Sequence, residues 1–192
     1  YDKSPFVNER FHEDWSPDHS YKWQHNRAVV GHNLKIAWNL MRINSLRPNN
    51  KYVELARKIA EIMPTVGSDR QRGGWYDVME REKGQGQEWY RYTWHDRKAW
   101  WQQEQAILAY LILAGILGDD KYRLEARHAA AFYNAWFLDH DAGAVYFNVP
   151  GSLLIHYSSA WIIPLIVVVA IVFGVVIVYG LKKKQLTILG II

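Results

Sequence analysis

Val30-Gly31-His32-Asn33-Leu34-Lys35-Ile36-Ala37-Trp38-Asn39-Leu40-Met41 is an apolar helical stretch with a histidine at its start and a lysine one turn later. His32 and Lys35, three residues apart, share one face near the helix N-terminus, beside the core-type positions Ile36, Ala37, Leu40 and Met41. The pair therefore points into something enclosed. Two uses fit such a histidine: a buried imidazole hydrogen-bonded to backbone, with Lys35 reaching solvent along its stem, or a proton-handling group in a cavity.

Working outward, the first helix is predicted over residues 28–44 and is stopped by Arg47-Pro48-Asn49-Asn50, because proline cannot continue a helix and disfavours helical geometry in the residue before it. An amphipathic helix follows over residues 51–63. Val53, Ala56, Ile59, Ala60 and Met63 keep the 3.6-residue period, with Glu54, Arg57, Lys58 and Glu61 on the other face. A glycine turn at Gly73-Gly74 leads into a long aromatic and charged loop reaching Asp96, of the kind that carries function in compact domains. Residues 98–117 read as a third helix, apolar nearly all round after Ala106 and so expected to be buried. A fourth starts at Asp119-Asp120 and reaches about Leu138, and residues 144–149 are extended. Before all of these, residues 1–27 form a polar lead-in loop whose histidines lack the tight spacing of a metal site, so no metal is expected.

The elements repeat. A shift of 70 residues lays Lys51-Tyr52 on Lys121-Tyr122, Ala56-Arg57 on Ala126-Arg127, Gly73 on Gly143 and Tyr76 on Tyr146. Each unit is an apolar helix, an amphipathic helix and a glycine turn, the alternation of inner and outer helices that an α/α toroid requires. The expected fold is all-α: over residues 28–150, a partial (α/α)6 toroid of two helix-pair repeats of about 70 residues. A single unit cannot bury its apolar face without stacked neighbours, so further units are expected from upstream sequence or from another chain. The same shift sets His32 opposite Gln102 and Lys35 opposite Gln105, so both helix starts are expected to line one cavity.

Charge and composition narrow the function. Three of the four net positive charges are Lys182, Lys183 and Lys184, and residues 1–160 hold 20 basic against 19 acidic side chains, so no basic face for nucleic acid is expected. Ten tryptophans and twelve tyrosines exceed what a small core needs and offer the flat apolar faces with polar handles that sugar-binding clefts use. The absence of cysteine excludes a disulfide scaffold and a thiolate metal site. With neither an initiator methionine nor a signal peptide, the chain reads as starting mid-protein or after processing.

Three motifs carry a family resemblance over about residues 20–150: Gly31-His32-Asn33-Leu34-Lys35-Ile36-Ala37-Trp38, Gly73-Gly74-Trp75-Tyr76-Asp77 and Lys98-Ala99-Trp100-Trp101-Gln102-Gln103. In this order and spacing they resemble the Gly-His-x-x-Glu-x-x-Trp helix start, the Gly-Gly-aromatic turn and the Lys-x-Trp-Trp-x-Gln segment of the N-acylglucosamine 2-epimerase and cellobiose 2-epimerase family. The resemblance implies an (α/α)6 barrel and a cofactor-independent sugar epimerisation or isomerisation. In that chemistry one histidine removes the proton next to the carbonyl of a ring-opened sugar, and a second returns it. His32 is then a catalytic base, Trp100 and Trp101 stack on the sugar or wall the cavity, Lys98 closes the site by hydrogen bonding, and Trp75, Lys35 and Gln105 join the substrate-binding set. Where the family usually has two glutamates, this chain has Lys35 and Gln105, so carboxylates that would orient or polarise a histidine are missing from those positions. The family's second histidine lies in later helices, whereas this sequence changes character after Asn148. The enzyme reading therefore includes a degenerate relative, and the alternative is a non-catalytic, membrane-anchored binding or structural subunit built from α/α repeats.

From Ala160 to Leu181 there are 22 positions without a charge. At 1.5 Å per residue they span about 33 Å, enough to cross a bilayer core of about 30 Å. Residues 161–181 are thus expected to be a single transmembrane helix with the lipid bilayer as partner, joined to the repeats by a tether over 151–160. Trp161 and Tyr179 sit at the interfaces, and the lysines after the span predict a cytoplasmic tail over 182–192 and an extracytoplasmic N-terminal part.

Overall fold

A computed structural model of the chain describes residues 4–21, 26–83, 86, 89–93 and 96–150. The expected tether, transmembrane helix and tail lie outside the described residues. Among the described residues no helix is long and apolar enough to cross a membrane.

The described residues form four helices and six short strands, in the order β1 Arg27–Val29, α1 Val30–Leu46, α2 Asn50–Val66, β2 Val78–Glu80, β3 Arg97–Ala99, α3 Trp100–Leu117, α4 Asp120–Trp136, β4 Leu138–Asp139, β5 Ala144–Val145 and β6 Asn148–Pro150. The 70-residue shift lays β1 on β3, α1 on α3, α2 on α4 and β2 on β6. Hydrogen bonds outside the helices follow it too. Tyr76 N–H donates to Gly67 O at 2.9 Å and Tyr146 N–H to Phe137 O at 2.8 Å, while Gly73 and Gly143 N–H donate to the Asp69 and Asp139 carbonyls. In each unit a strand entering the first helix is closed antiparallel by a strand that follows the second, β1 with β2 and β3 with β6.

The helix ends differ from expectation for local reasons. α1 runs to Leu46, two residues past the predicted end, because Pro48 restrains only the residue before it: Arg47 is extended at φ −140°, ψ 93°. α2 continues through Pro64 to Val66. Proline there removes the bond to the Ala60 carbonyl four residues back, and the Tyr110 hydroxyl of α3 donates to that carbonyl at 2.9 Å instead. α3 begins at Trp100 because Arg97–Ala99 is committed to the pairing with β6.

α1 packs on both α2 and α3, and α3 on α4. Leu34, Ala37 and Met41 of α1, Ala56, Ile59, Ala60 and Met63 of α2, Ala106, Ala109, Tyr110 and Leu113 of α3, and Ala126 and Ala129 of α4 form one buried cluster. The alanines let the helix backbones approach closely. α3, expected to be enclosed on every side, is enclosed on one: Leu111 is 52 % and Ile116 50 % exposed. Its apolar circumference suits a helix flanked on both sides; among the described residues α1 and α4 flank it, and α2 meets it chiefly at the Tyr110–Ala60 hydrogen bond. The lead-in is also more than a loop, since Phe6 is fully buried and meets the Tyr90 ring edge-on at 5.4 Å.

Candidate functional site

The N-termini of α1 and α3 meet at a seam. Neither helix has a side-chain cap of its own, so the orphan N–H groups of α1 find partners elsewhere. Val30 N–H donates to Asp77 O at 3.2 Å and Gly31 N–H to Gln102 Oε1 at 2.5 Å. The Gln102 amide turns its other end to Asp77, donating to the backbone carbonyl at 2.9 Å and also to Oδ1. Arg97 Nε donates to Asp77 Oδ2 at 2.9 Å. Gln102, fully buried, is therefore a bridge between two helix starts and a loop, and not the cavity-lining counterpart of His32 that the repeat suggested. The approach is close: a methyl group at Gly31 would lie 2.6 Å from the Trp101 ring and 2.9 Å from Gln102 Oε1, which is why glycine stands before His32.

His32 emerges from this seam with 43 % of its side chain exposed. Its ring centroid is 5.4 Å from that of Trp101, tilted by 43°, and Nδ1 is 3.0 Å from Glu9 Oε1 of the lead-in segment. Nearly two turns further along α1, Trp38 Nε1–H donates to Gln105 Oε1 at 2.9 Å, tying α1 to α3 again. Trp100 is half-buried and Lys35 exposed. The structure thus brings His32, Trp101 and Gln105 to one seam.

Trp75 and Lys98, expected among the substrate-binding residues, lie beneath it. Trp75 is 3 % exposed; its N–H donates to Gln103 Oε1 at 2.8 Å, its carbonyl accepts from Gln103 Nε2 at 2.9 Å, and its ring stacks on Tyr110. Lys98 is fully enclosed and donates to Asp69 Oδ2 at 2.8 Å and Gly73 O at 2.7 Å, between the Tyr76 and Phe132 rings. Both side chains hold the glycine turn against α3. Arg72 joins them, pairing with Asp69 at 2.7 Å and with Asp96. Burial alone pushes the Asp69 carboxyl up and the Lys98 ammonium down; for Asp69 the Lys98 hydrogen bond and the Arg72 contacts outweigh it and hold the carboxyl below its ordinary value.

The N-acylglucosamine 2-epimerase family model matches residues 2–152. The chain belongs to the N-acylglucosamine 2-epimerase family. Solved structures agree on the fold. A cellobiose 2-epimerase from Bacillus thermoamylovorans superimposes with a TM-score of 0.62 at 16 % identity over 79 % of this chain and 36 % of its own. A D-mannose isomerase gives 0.58 at 19 % identity over 76 % and 37 %. An inactive variant of an α-1,6-mannanase from Salegentibacter, in complex with α-1,6-mannotriose, gives 0.51 at 17 % identity over 64 % and 32 %. The chain thus spans about a third of the length of these structures. No curated protein matches the sequence. A carbohydrate ligand fits the family; the expected bilayer and second-chain partners gain no support from it.

Within this 2-epimerase framework, two acids were missed by sequence reasoning. Asp69 had a signal, because its repeat mate Asp139 organises the second turn in the same way: the side chain of each accepts from the backbone N–H groups two and three residues on. Glu9 had none, since nothing in the spacing of the lead-in ties it to His32.

Proposed function

We propose that the chain carries part of a sugar epimerase or isomerase site, with His32 as the base and Trp101, joined by Trp100, as the wall against which the sugar lies. One observation supports this above the rest: His32 is a half-open imidazole at the α1/α3 seam with an indole face 5.4 Å away. A neutral imidazole is matched to proton transfer near pH 7. It takes the C2 proton of a ring-opened aldose, the electron pair passes into the carbonyl to give an enediolate, and return of a proton to C2 from the other face gives the epimer, or to C1 the isomer. Lys35, exposed on α1, supplies a sugar contact, and Gln105 holds the cavity wall through Trp38.

Incubation with mannose, N-acetylglucosamine or cellobiose in deuterated water tests the reading. Deuterium is expected at C2 of at least one sugar, with a loss on the order of 100-fold in His32→Ala. Absence of exchange with all three, or equal exchange in the variant, overturns it. A second reading, non-catalytic carbohydrate binding, is favoured by the commitment of Gln105 to Trp38 where the family places a glutamate; it predicts a sugar-dependent change in tryptophan fluorescence without exchange. The uncharged run over 161–181 supports, on composition alone, an anchored protein with a cytoplasmic C-terminus.

A further inference from the structure

The family position for a carboxylate one turn after the histidine is occupied by Lys35, yet His32 has a carboxylate beside it. It comes from the lead-in segment, 23 residues earlier in the sequence. Phe6 anchors the lead-in by burial against Tyr90. Val7 N–H donates to Asn33 Oδ1 at 2.8 Å, and Asn33 Nδ2 in turn donates to Val29 O at 2.9 Å, so the residue next to His32 holds the lead-in against the start of α1. Asn8 Oδ1 accepts from Arg81, which is 2 % exposed and also donates to Arg27 O. The Arg81 charge lies within electrostatic reach of Glu9. Three successive residues, each fixed to a different group, thus deliver Glu9 Oε1 to 3.0 Å from His32 Nδ1.

We propose that Glu9 is the positioning residue of the sugar-isomerising site, accepting the Nδ1–H of His32 and so leaving the Nε2 lone pair as the base. The proposal rests on the reading of His32 as the proton-transfer group. A neutral imidazole carries one N–H and one lone pair, and the hydrogen bond made by one nitrogen sets the role of the other. When Nε2 takes the C2 proton the ring becomes an imidazolium, and the Glu9 carboxylate beside Nδ1 stabilises that charge. In isomerisation the imidazolium gives this proton to C1 of the enediolate, and in epimerisation, where C2 is reprotonated from the other face, it gives the proton to solvent; either way the neutral ring is restored. Glu9 thus does for His32, from the lead-in segment outside the helix, what a carboxylate one turn along the helix does from within it.

Long-range proton–nitrogen NMR of the full chain with 15N-labelled histidine reads the tautomer directly, with His32 assigned by the signals lost in His32→Ala. The wild type is expected to show a protonated Nδ1 and an unprotonated Nε2, and Glu9→Ala to shift His32 toward the Nε2–H form. Glu9→Gln, which keeps a neutral acceptor, is expected to restore the wild-type tautomer. Deuterium exchange at C2 of mannose is expected to fall about 10- to 100-fold in kcat in Glu9→Ala, with KM unchanged. Unaltered His32 nitrogen shifts in a folded Glu9→Ala protein overturn the proposal, whatever the exchange rate. A Glu9-dependent tautomer in a wild type that exchanges no sugar supports the pairing and overturns the isomerase reading instead.

Discussion

At the scale of single residues, the conspicuous investment is a charge cluster that touches no open surface. Lys98 and Asp69 are 0 % and 4 % exposed at the side chain, and Asp69 is the acid that neutralises Lys98 while Lys98 and Arg72 together neutralise Asp69. Removing one partner of such a pair leaves a buried, uncompensated charge. Asp69→Leu is expected to cost about 3–5 kcal/mol in urea unfolding, with much of it recovered when Lys98→Met is added. The pH dependence follows from the depressed Asp69 carboxyl. Because its folded pKa lies below its unfolded one, its contribution is complete above the ordinary carboxylate value of about 4 and is lost as pH falls through the lower folded value. Wild type and Asp69→Asn should therefore converge in stability as the pH is lowered below about 4, and remain a constant interval apart between pH 5 and 8. A constant interval at all pH values would remove Asp69 as the titrating group.

At the scale of the elements, α2 and α3 are locked by one hydrogen bond that repairs a defect. Pro64 cannot donate to Ala60 O, and Tyr110 does so instead. Tyr110→Phe leaves that carbonyl buried and unsatisfied, at an expected cost of about 1–3 kcal/mol. Pro64→Ala restores an N–H to the helix, so in the Pro64→Ala background the same tyrosine substitution should cost measurably less by denaturant unfolding; an equal cost in both backgrounds would break the link between the two residues. Such elements divide by how much of their cause is local. The helices are legible because the apolar positions of α2 and α4 repeat at 3.6 residues over 17 residues, and because α1 and α3 are long, largely apolar runs without a breaker. β1, β2 and β3 are not, being three residues each and specified by partners as far away as Glu80 for Arg27. The site splits in the same way. His32 and Trp101 stand in helix-start motifs that the sequence displays, and the structure sets their rings 5.4 Å apart, whereas Glu9 reaches His32 only because Phe6, Val7 and Asn8 are fixed by Tyr90, Asn33 and Arg81. For Lys98 and Trp75, motif position says which turn a residue belongs to and not which groups its side chain meets, and in the structure both meet the glycine turn and its surroundings.

At the scale of the molecule, the 70-residue repeat places α1 and α3 side by side, with α2 and α4 packed on them. The covering is uneven along α3. Leu113 is fully buried in the cluster shared by all four helices, and Leu111, two residues earlier, is 52 % exposed. Two leucines of one helix thus report on opposite conditions. Leu113→Ala removes packed atoms from a filled interior and is expected to lower the unfolding free energy by about 2–5 kcal/mol. Leu111→Lys exchanges one half-exposed side chain for a long charged one that can lie along the same surface, and is expected to change it by less than about 0.5 kcal/mol. Both are read from urea unfolding followed by tryptophan fluorescence. A cost of several kcal/mol for Leu111→Lys would mean that the exposed face of α3 is covered in solution, as the apolar circumference of that helix suits, while a negligible cost means that two helix pairs hold together by the α1/α3 seam and its outer helices alone.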